Sequence, residues 1–273
     1  MSEKKLTVEE VYESRPNKFL IRLLAFVVIL AAVIWSQRGI NFNGVSSGID
    51  IAKGTIYGLT HPTWSLFTDM SETGIIYLIL QTIAIAILGT LFGGILAIPV
   101  AFLASHNIVP KPIAIIFRVL ILLIRTIPSL VWALMWIRVT GPGASCGVIT
   151  QSICSIGMIS KMYITAIEDL DTGILDALDA AGCNTFEKIR CGVLPQLSAS
   201  FISTVIYRFD INLKDATTLG LIGAGGIGSA LVIAISAMRW TQVGAYLLAL
   251  IVVVLIIEYA STKIRARLAH GKR

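Results

Sequence analysis

From Gly74 to Ala104 the chain runs without one Asp, Glu, Lys or Arg, and no other feature limits the fold as strongly. A helix rises ~1.5 Å per residue and a bilayer's hydrocarbon core is ~30 Å thick, so ~20 apolar residues cross it. Further apolar runs cover Phe19 to Ser36, Ile113 to Val139, Gln196 to Leu213 and Val243 to Tyr259. A more polar run, Ala144 to Ile167, contains Ser, Thr, Gln and Lys161 and belongs inside a bundle rather than against lipid. Leu231 to Ala237 is apolar but short, a re-entrant or broken element. Six crossings are the simplest count. Composition agrees: 14% of residues are charged, against about 25% in a soluble domain. The expected fold class is an all-α membrane protein of about six transmembrane helices.

The basic residues set an orientation. Lys4, Lys5, Arg15 and Lys18 precede the first run, and Lys263, Arg265, Arg267, Lys272 and Arg273 follow the last. Clusters that flank spans point to lipid headgroups and topology, not to nucleic acid. With both termini cytoplasmic, 15 Lys and Arg fall inside, while Arg38, Lys53, Arg138, Lys214 and Arg239 fall outside. The positive-inside rule favours that arrangement. A multi-pass membrane protein with both termini cytoplasmic is expected. No cleavable signal peptide is expected, since no small-residue cleavage site closes the first run. Cys146, Cys154, Cys183 and Cys191 have no metal-like spacing and read as small helix residues. The expected organisation is an N-terminal segment over 1–72, with an interfacial helix within Ile49 to Phe67. A transmembrane domain over 73–268 and a tail over 269–273 follow.

On that topology residues 168–195 lie in the cytoplasm. Ala177, Leu178, Ala180 and Ala181 favour helix, with Asp176 near its start. Gly182 is a natural stop, and Asn184 with Glu187 three residues on forms a capping box for a second short helix. Pro195 begins the next span. Two short helices in a cytoplasmic elbow are predicted.

The spacing of this segment resembles the loop that ABC importer permeases insert into their ATPase subunits. That pattern runs Glu-Ala-Ala, three residues, Gly, nine residues, an apolar residue, one residue, Leu-Pro. Asp176 stands for Glu, Ala177 and Gly182 match, and Leu194-Pro195 close the segment. Leu178 replaces the second Ala and Gly192 occupies the apolar position. Other segments narrow the resemblance to the phosphonate-type (PhnE-like) permeases. They include Pro99-Val-Ala-Phe-Leu-Ala104, Arg125-Thr-Ile-Pro128-Ser-Leu-Val-Trp132, Tyr207-Arg-Phe-Asp-Ile-Asn212 and Leu219-Gly-Leu-Ile-Gly-Ala-Gly-Gly-Ile-Gly228. In that family an acidic residue often follows the Pro equivalent to Pro128; here Ser129 does.

The resemblance implies a MetI-like ABC permease fold. It also implies a second copy of the chain as a homodimer, two ATPase subunits and an external substrate-binding protein. ATP-Mg would sit in the ATPase, with no cofactor on this chain. Coupling to the ATPase would run through Asp176, Ala177, Ala181, Gly182, Asn184, Glu187, Leu194 and Pro195. The substrate implied is phosphonate or a related phosphorus oxyanion; another small solute is the alternative.

Within the spans, Arg125 near the middle of the third should face a cavity or a partner, since a central Arg costs ~2.5–3.5 kcal/mol on insertion scales. An anion-compatible passage and a snorkelling structural charge both fit. Pro128 should kink that helix. Arg208, Asp210, Asn212, Lys214 and Asp215 read as a polar patch at the outer end of the fifth span, a gate or docking surface or else a solvated helix end. Asp210 and Lys214 have i,i+4 spacing.

Gly223 to Gly228 satisfies GxGxxG, but no acidic residue follows ~20 positions on, as a dinucleotide site requires. A flexible or close-packed re-entrant turn is the better reading. Gly89 and Gly93 form a GxxxG for close helix packing. No P-loop is present, the three histidines are scattered, and no nucleophile–base pair is evident. A secondary transporter or channel would explain the spans but not the elbow. A membrane enzyme would need a reactive cluster that the sequence does not offer.

Overall fold

The computed structural model describes residues 19–37 and 45–270. The flanking basic residues Lys4, Lys5, Arg15, Lys18, Lys272 and Arg273, and Arg38 of the loop, lie outside it. Every regular element among the described residues is helical. The chain divides into two units, Met1–Lys53 and Gly54–Arg273.

The first unit holds α1 (Phe19–Gln37) and the beginning of α2 (Val45–Thr60). The side chains of 19–36 are all exposed. Exposed apolar side chains along most of such a helix suit lipid.

The second unit begins within α2. A Cβ on Gly54 would lie 2.5 Å from the Trp240 indole, and one on Gly58 would collide with the Trp240 carbonyl. Residues from Gly54 onward are therefore packed on the last long helix. After α2 come the short α3 (Ser65–Thr68) and the long α4 (Ile75–Ala104). Then follow α5 (Lys111–Thr126), α6 (Ser129–Thr140) and α7 (Ala144–Glu168).

α4 and α7 form the most extensive helix pair. A Cβ on Gly89 would lie 2.5 Å from Gln151 Cβ, one on Gly93 would strike Ser155, and Ser160 donates to the Ala97 carbonyl at 3.3 Å. Residue numbers rise together along both helices, so the two run parallel. The GxxxG pattern therefore serves as read: its missing side chains let α7 close in. In lipid, where apolar burial gives little drive, such backbone approach is what holds helices together.

Because α4 and α7 run the same way, α5 and α6 must carry the chain back between them. They do so as a crossing bent by 87°. Ile127 is extended (φ −87°, ψ 121°), as a residue before proline prefers, and Pro128 has no N–H to continue the ladder. Trp132 Nε1 reaches back over the break to the Ile124 carbonyl, 3.3 Å away. The kink expected at Pro128 is thus a full break of the span.

Among the described residues four helices are long and apolar enough to cross a membrane, or five with the bent pair. A count of six also includes α7, whose 25 residues are long enough but too polar for that standard. Its polar residues Thr150, Gln151, Ser155 and Ser160 are all buried against neighbours, as an inward-facing span requires.

After α7 come α8 (Thr172–Ala180), α9 (Thr185–Lys188), a π turn (Ile189–Val193), α10 (Leu194–Gly220), α11 (Ile227–Ser236) and α12 (Trp240–His270). Among the described residues the core has three centres, the smallest formed by Ala133, Cys146, Leu219 and Ala224. At the elbow end, Ala97, Ala101, Ile121, Ile159 and Ile164 surround Tyr163, which stacks on Phe201 at 4.0 Å. At the opposite end Ile75, Leu78, Ile227, Leu231, Val243 and Tyr246 join α4, α11 and α12.

Candidate functional site: the elbow and the polar seam

The elbow begins at Asp171, whose side chain caps α8 by accepting the Gly173 N–H at 2.9 Å. Asp176 therefore lies inside the helix and not near its start, a correction to the sequence reading; Asp171 takes the cap because it precedes Thr172-Gly173 directly. The helix ends where expected. Gly182 has φ +78°, in the left-handed region that costs a β-carbon-bearing residue but not glycine. Asn184 Oδ1 then accepts the Glu187 N–H at 2.9 Å, and Glu187 Oε2 accepts the Asn184 N–H at 2.7 Å. The capping box is complete.

A second correction follows. The second short helix does not stop before the next span: α9, the π turn and α10 are continuous from Thr185 to Gly220. Leu194 N–H bonds to the Ile189 carbonyl five residues back. This widened turn lets Pro195, which has no N–H, sit at the start of α10 without breaking the rod. α9 is therefore the first turn of the same rod as α10. α8 is tied to α9 by the Lys188–Asp179 ion pair.

Asp176, Ala177, Ala181, Gly182, Asn184 and Glu187 are all exposed. Phe186, between the capping residues, is 69% exposed, a large aromatic with no cover from its own chain. Leu194 packs on the elbow-end core, while Pro195 is exposed. A notch of about 210 Å³ separates the elbow from the α4–α5 turn, between Asn107, Ile108, Asp179 and Lys188.

Behind the elbow, Glu168 at the end of α7 accepts from His106 and Arg118, and Arg118 Nε donates to the Ala104 carbonyl at 2.9 Å. This clamp joins the ends of α4, α5 and α7. Its members stand 50 and 62 residues apart in the sequence, so nothing local announced it.

The seam residues are placed differently from expectation. α10 continues to Gly220, so Arg208, Asp210 and Asn212 are not at a solvated outer end but buried within the helix. The run Ala216 to Gly220 continues the helix past Leu213, where the apolar signal faded. Asn212 Nδ2 donates to Thr90 Oγ1 and Ser155 Oγ, each at 2.8 Å. Arg208 Nε donates to Ser155 at 3.1 Å, and Gln151 Nε2 donates to the Asn212 carbonyl at 2.7 Å. Lys214 pairs with Asp210 at 3.5 Å, as the spacing indicated, and with Glu258 of α12 at 3.1 Å. Ser155, Thr90, Gln151 and Glu258 were missed because their role arises only when α4, α7, α10 and α12 meet.

Arg125 is in the last turn of α5, its stem over Gly157 and the residue exposed. Pro128 is exposed and Ser129 half-buried.

The glycine turn after α10 closes the opposite end. Gly226 and Ile227 donate backbone N–H groups to Gln81 Oε1 and Thr82 Oγ1, both at 2.9 Å, and Gly143 donates to the Gly223 carbonyl at 2.8 Å. Gly226 (φ +73°) has no room for a side chain against Thr82. Of the flexible and close-packed turns that the sequence allowed, this is the close-packed one.

A polytopic helical bundle with an exposed helical elbow continuous with an apolar span defines a class, the multi-span integral membrane proteins. Residues 89–269 match the family described as binding-protein-dependent transport system inner membrane component, and the chain belongs to that family. It is 34% identical over 197 residues to the phosphate-import permease protein PhnE of Mycolicibacterium smegmatis, covering 72% of this chain but only 37% of that protein. It is 32% identical to the phosphite transport system permease protein PtxC of Stutzerimonas stutzeri, covering 68% of each. The fold resembles a chain of the MetNI methionine ABC transporter in an inward-facing conformation, with a TM-score of 0.62 at 19% identity, covering 71% of this chain and 95% of that one.

Proposed function

We propose that this chain is the permease subunit of an ATP-driven importer that moves phosphonate or a related phosphorus oxyanion across the bacterial inner membrane. The observation that carries the reading is the elbow itself. An exposed tip at Gly182 to Glu187, held by a complete capping box, continues without a break into α10.

In this reading two copies form the pathway, and both termini and the elbow are cytoplasmic. A separate ATPase subunit under each elbow holds ATP-Mg; this chain hydrolyses nothing. Closure of the ATPases moves Asp176, Ala177, Ala181, Gly182, Asn184 and Glu187, and the Leu194–Pro195 junction passes the movement to α10. α10 carries Arg208, Asp210 and Asn212, so the seam they form with α7 is what shifts between inward and outward access. Arg125, Pro128 and Ser129 at the broken crossing border the pathway. The relatives named for phosphate and phosphite support the substrate class.

The test is uptake into proteoliposomes holding this chain, its ATPase and its substrate-binding protein. Uptake of phosphite or methylphosphonate that requires ATP is the expected result. Uptake without any ATPase would replace the proposal with a secondary transporter or channel.

A further inference from the structure

A cavity of about 730 Å³ lies between α7, α10 and α12 and is not part of the buried seam. Its polar lining comes from Gln196, Ser200, Ser203, Thr204, Tyr207 and Arg265. From Gln196 to Tyr207 is about 16 Å along the helix axis at ~1.5 Å per residue, so the cavity runs along α10 from just past the elbow.

Its charge is one-sided. Arg265 makes no ion pair among the described residues; its guanidinium stacks 5.4 Å from the Tyr207 ring centre and gives only a 3.4 Å hydrogen bond to Thr262. Its Nε is buried without a partner. Among the described residues the Ser200, Ser203 and Tyr207 hydroxyls have no hydrogen-bond partner, whereas Thr204 donates to the Ser200 carbonyl. A half-buried guanidinium with unspent donors, beside free hydroxyls, matches the fork geometry of a tetrahedral oxyanion. The surrounding apolar side chains strengthen that attraction by lowering the local dielectric.

A second cavity of about 560 Å³ shares Gln196, Ser200 and Thr204 with the first and opens beside Asp169 and Asp171 at the root of the elbow. Carboxylates at that mouth repel an anion, which places the resting position at the Arg265 end.

We propose that this cavity is an oxyanion site, in which the Arg265 guanidinium holds a free phosphorus oxyanion and the Ser203 and Tyr207 hydroxyls donate to it. The substrate class rests on the importer reading; the chemistry of the site does not. A lipid headgroup phosphate has the same chemistry, so the test separates the two sources.

The full chain, co-expressed with its ATPase and purified in a maltoside detergent without the binding protein, is titrated with phosphite and with inorganic phosphate by calorimetry. Saturable binding is expected in the wild type. Arg265→Gln should weaken it tenfold or more, Ser203→Ala severalfold, and Arg265→Lys should retain part of it. Sulfate should compete and choline chloride should not.

Binding unchanged in a folded Arg265→Gln protein overturns the site. So does phosphatidylglycerol retained at Arg265 with no binding of either free anion. Uptake separates this proposal from the broader one. ATP-driven phosphite uptake that ignores Arg265→Gln sinks the site and leaves the importer standing. Transport of a different solute with none of phosphorus oxyanions sinks the substrate class itself.

Discussion

Leu178 and Gly192 are fitted to each other: a Cβ placed on Gly192 would lie 2.6 Å from Leu178 Cδ1, so the α8 side chain occupies the space that glycine leaves. These are also two of the positions where the elbow departs from the importer pattern, one larger and one smaller than usual. The departures offset each other, which a linear reading of the motif does not reveal. Gly192→Leu should therefore overpack the elbow, at a cost of about 1–3 kcal/mol, and reduce ATP-driven uptake. Adding Leu178→Ala should restore most of both. A double-mutant cycle on thermal stability checks this, with additivity as the contrary result.

The capping box gives a second expectation. Asn184→Ala removes the acceptor of the Glu187 N–H and should cost about 1 kcal/mol locally. Hydrogen exchange at residues 185–188 should accelerate while that of α4 stays unchanged. Equal acceleration throughout the bundle would show that the box is not a local device.

Gly93 and Gly94 are adjacent but should respond oppositely to alanine. A Cβ at Gly94 meets Val205 at 3.5 Å, ordinary contact, and alanine gains roughly 1 kcal/mol of helix propensity. At Gly93 it would strike Ser155 and approach the Ser152 carbonyl at 2.8 Å, so α7 must be displaced. Detergent-solubilised Gly94→Ala should melt at or above the wild-type temperature, and Gly93→Ala several degrees below it.

Asp69, in the turn before α4, accepts the Ser71 N–H at 2.9 Å and the Ser71 hydroxyl at 2.8 Å, which lowers its pKa from the ordinary value. A depressed folded pKa means the turn's added stability is present above the unfolded value. It is lost as pH falls through the lower folded one. An NMR titration should place the Asp69 midpoint below that of an unstructured peptide, and Ser71→Ala should raise it. A midpoint indifferent to Ser71→Ala would contradict the assignment.

Much of the bundle was legible because lipid enforces a simple rule: long uncharged runs must be helices. Ile75–Ala104 and Ala144–Glu168 fall within a residue or two of the expected spans. The cap at Asn184 and the stop at Gly182 were legible too, since both depend on near neighbours. What the sequence concealed was longer in range. Glu168 with His106 and Arg118, and Asn212 with Thr90 and Ser155, meet only after helices pack. The extension of α10 to Gly220 was hidden for a related reason. Arg208, Asp210 and Lys214 look like a span's end until Ser155, Asp210 and Glu258 are seen to partner them.

The proposal that the elbow passes ATPase movement to the pathway stands most directly on Phe186, which is exposed and can be changed without disturbing the core. The deciding measurement is ATP hydrolysis and phosphite uptake, taken together, in proteoliposomes carrying the assembled transporter with wild-type chain or Phe186→Ala. The account predicts a correctly inserted variant whose uptake falls tenfold or more and whose hydrolysis no longer responds to the loaded binding protein. Full uptake by Phe186→Ala, with hydrolysis still stimulated, would contradict it.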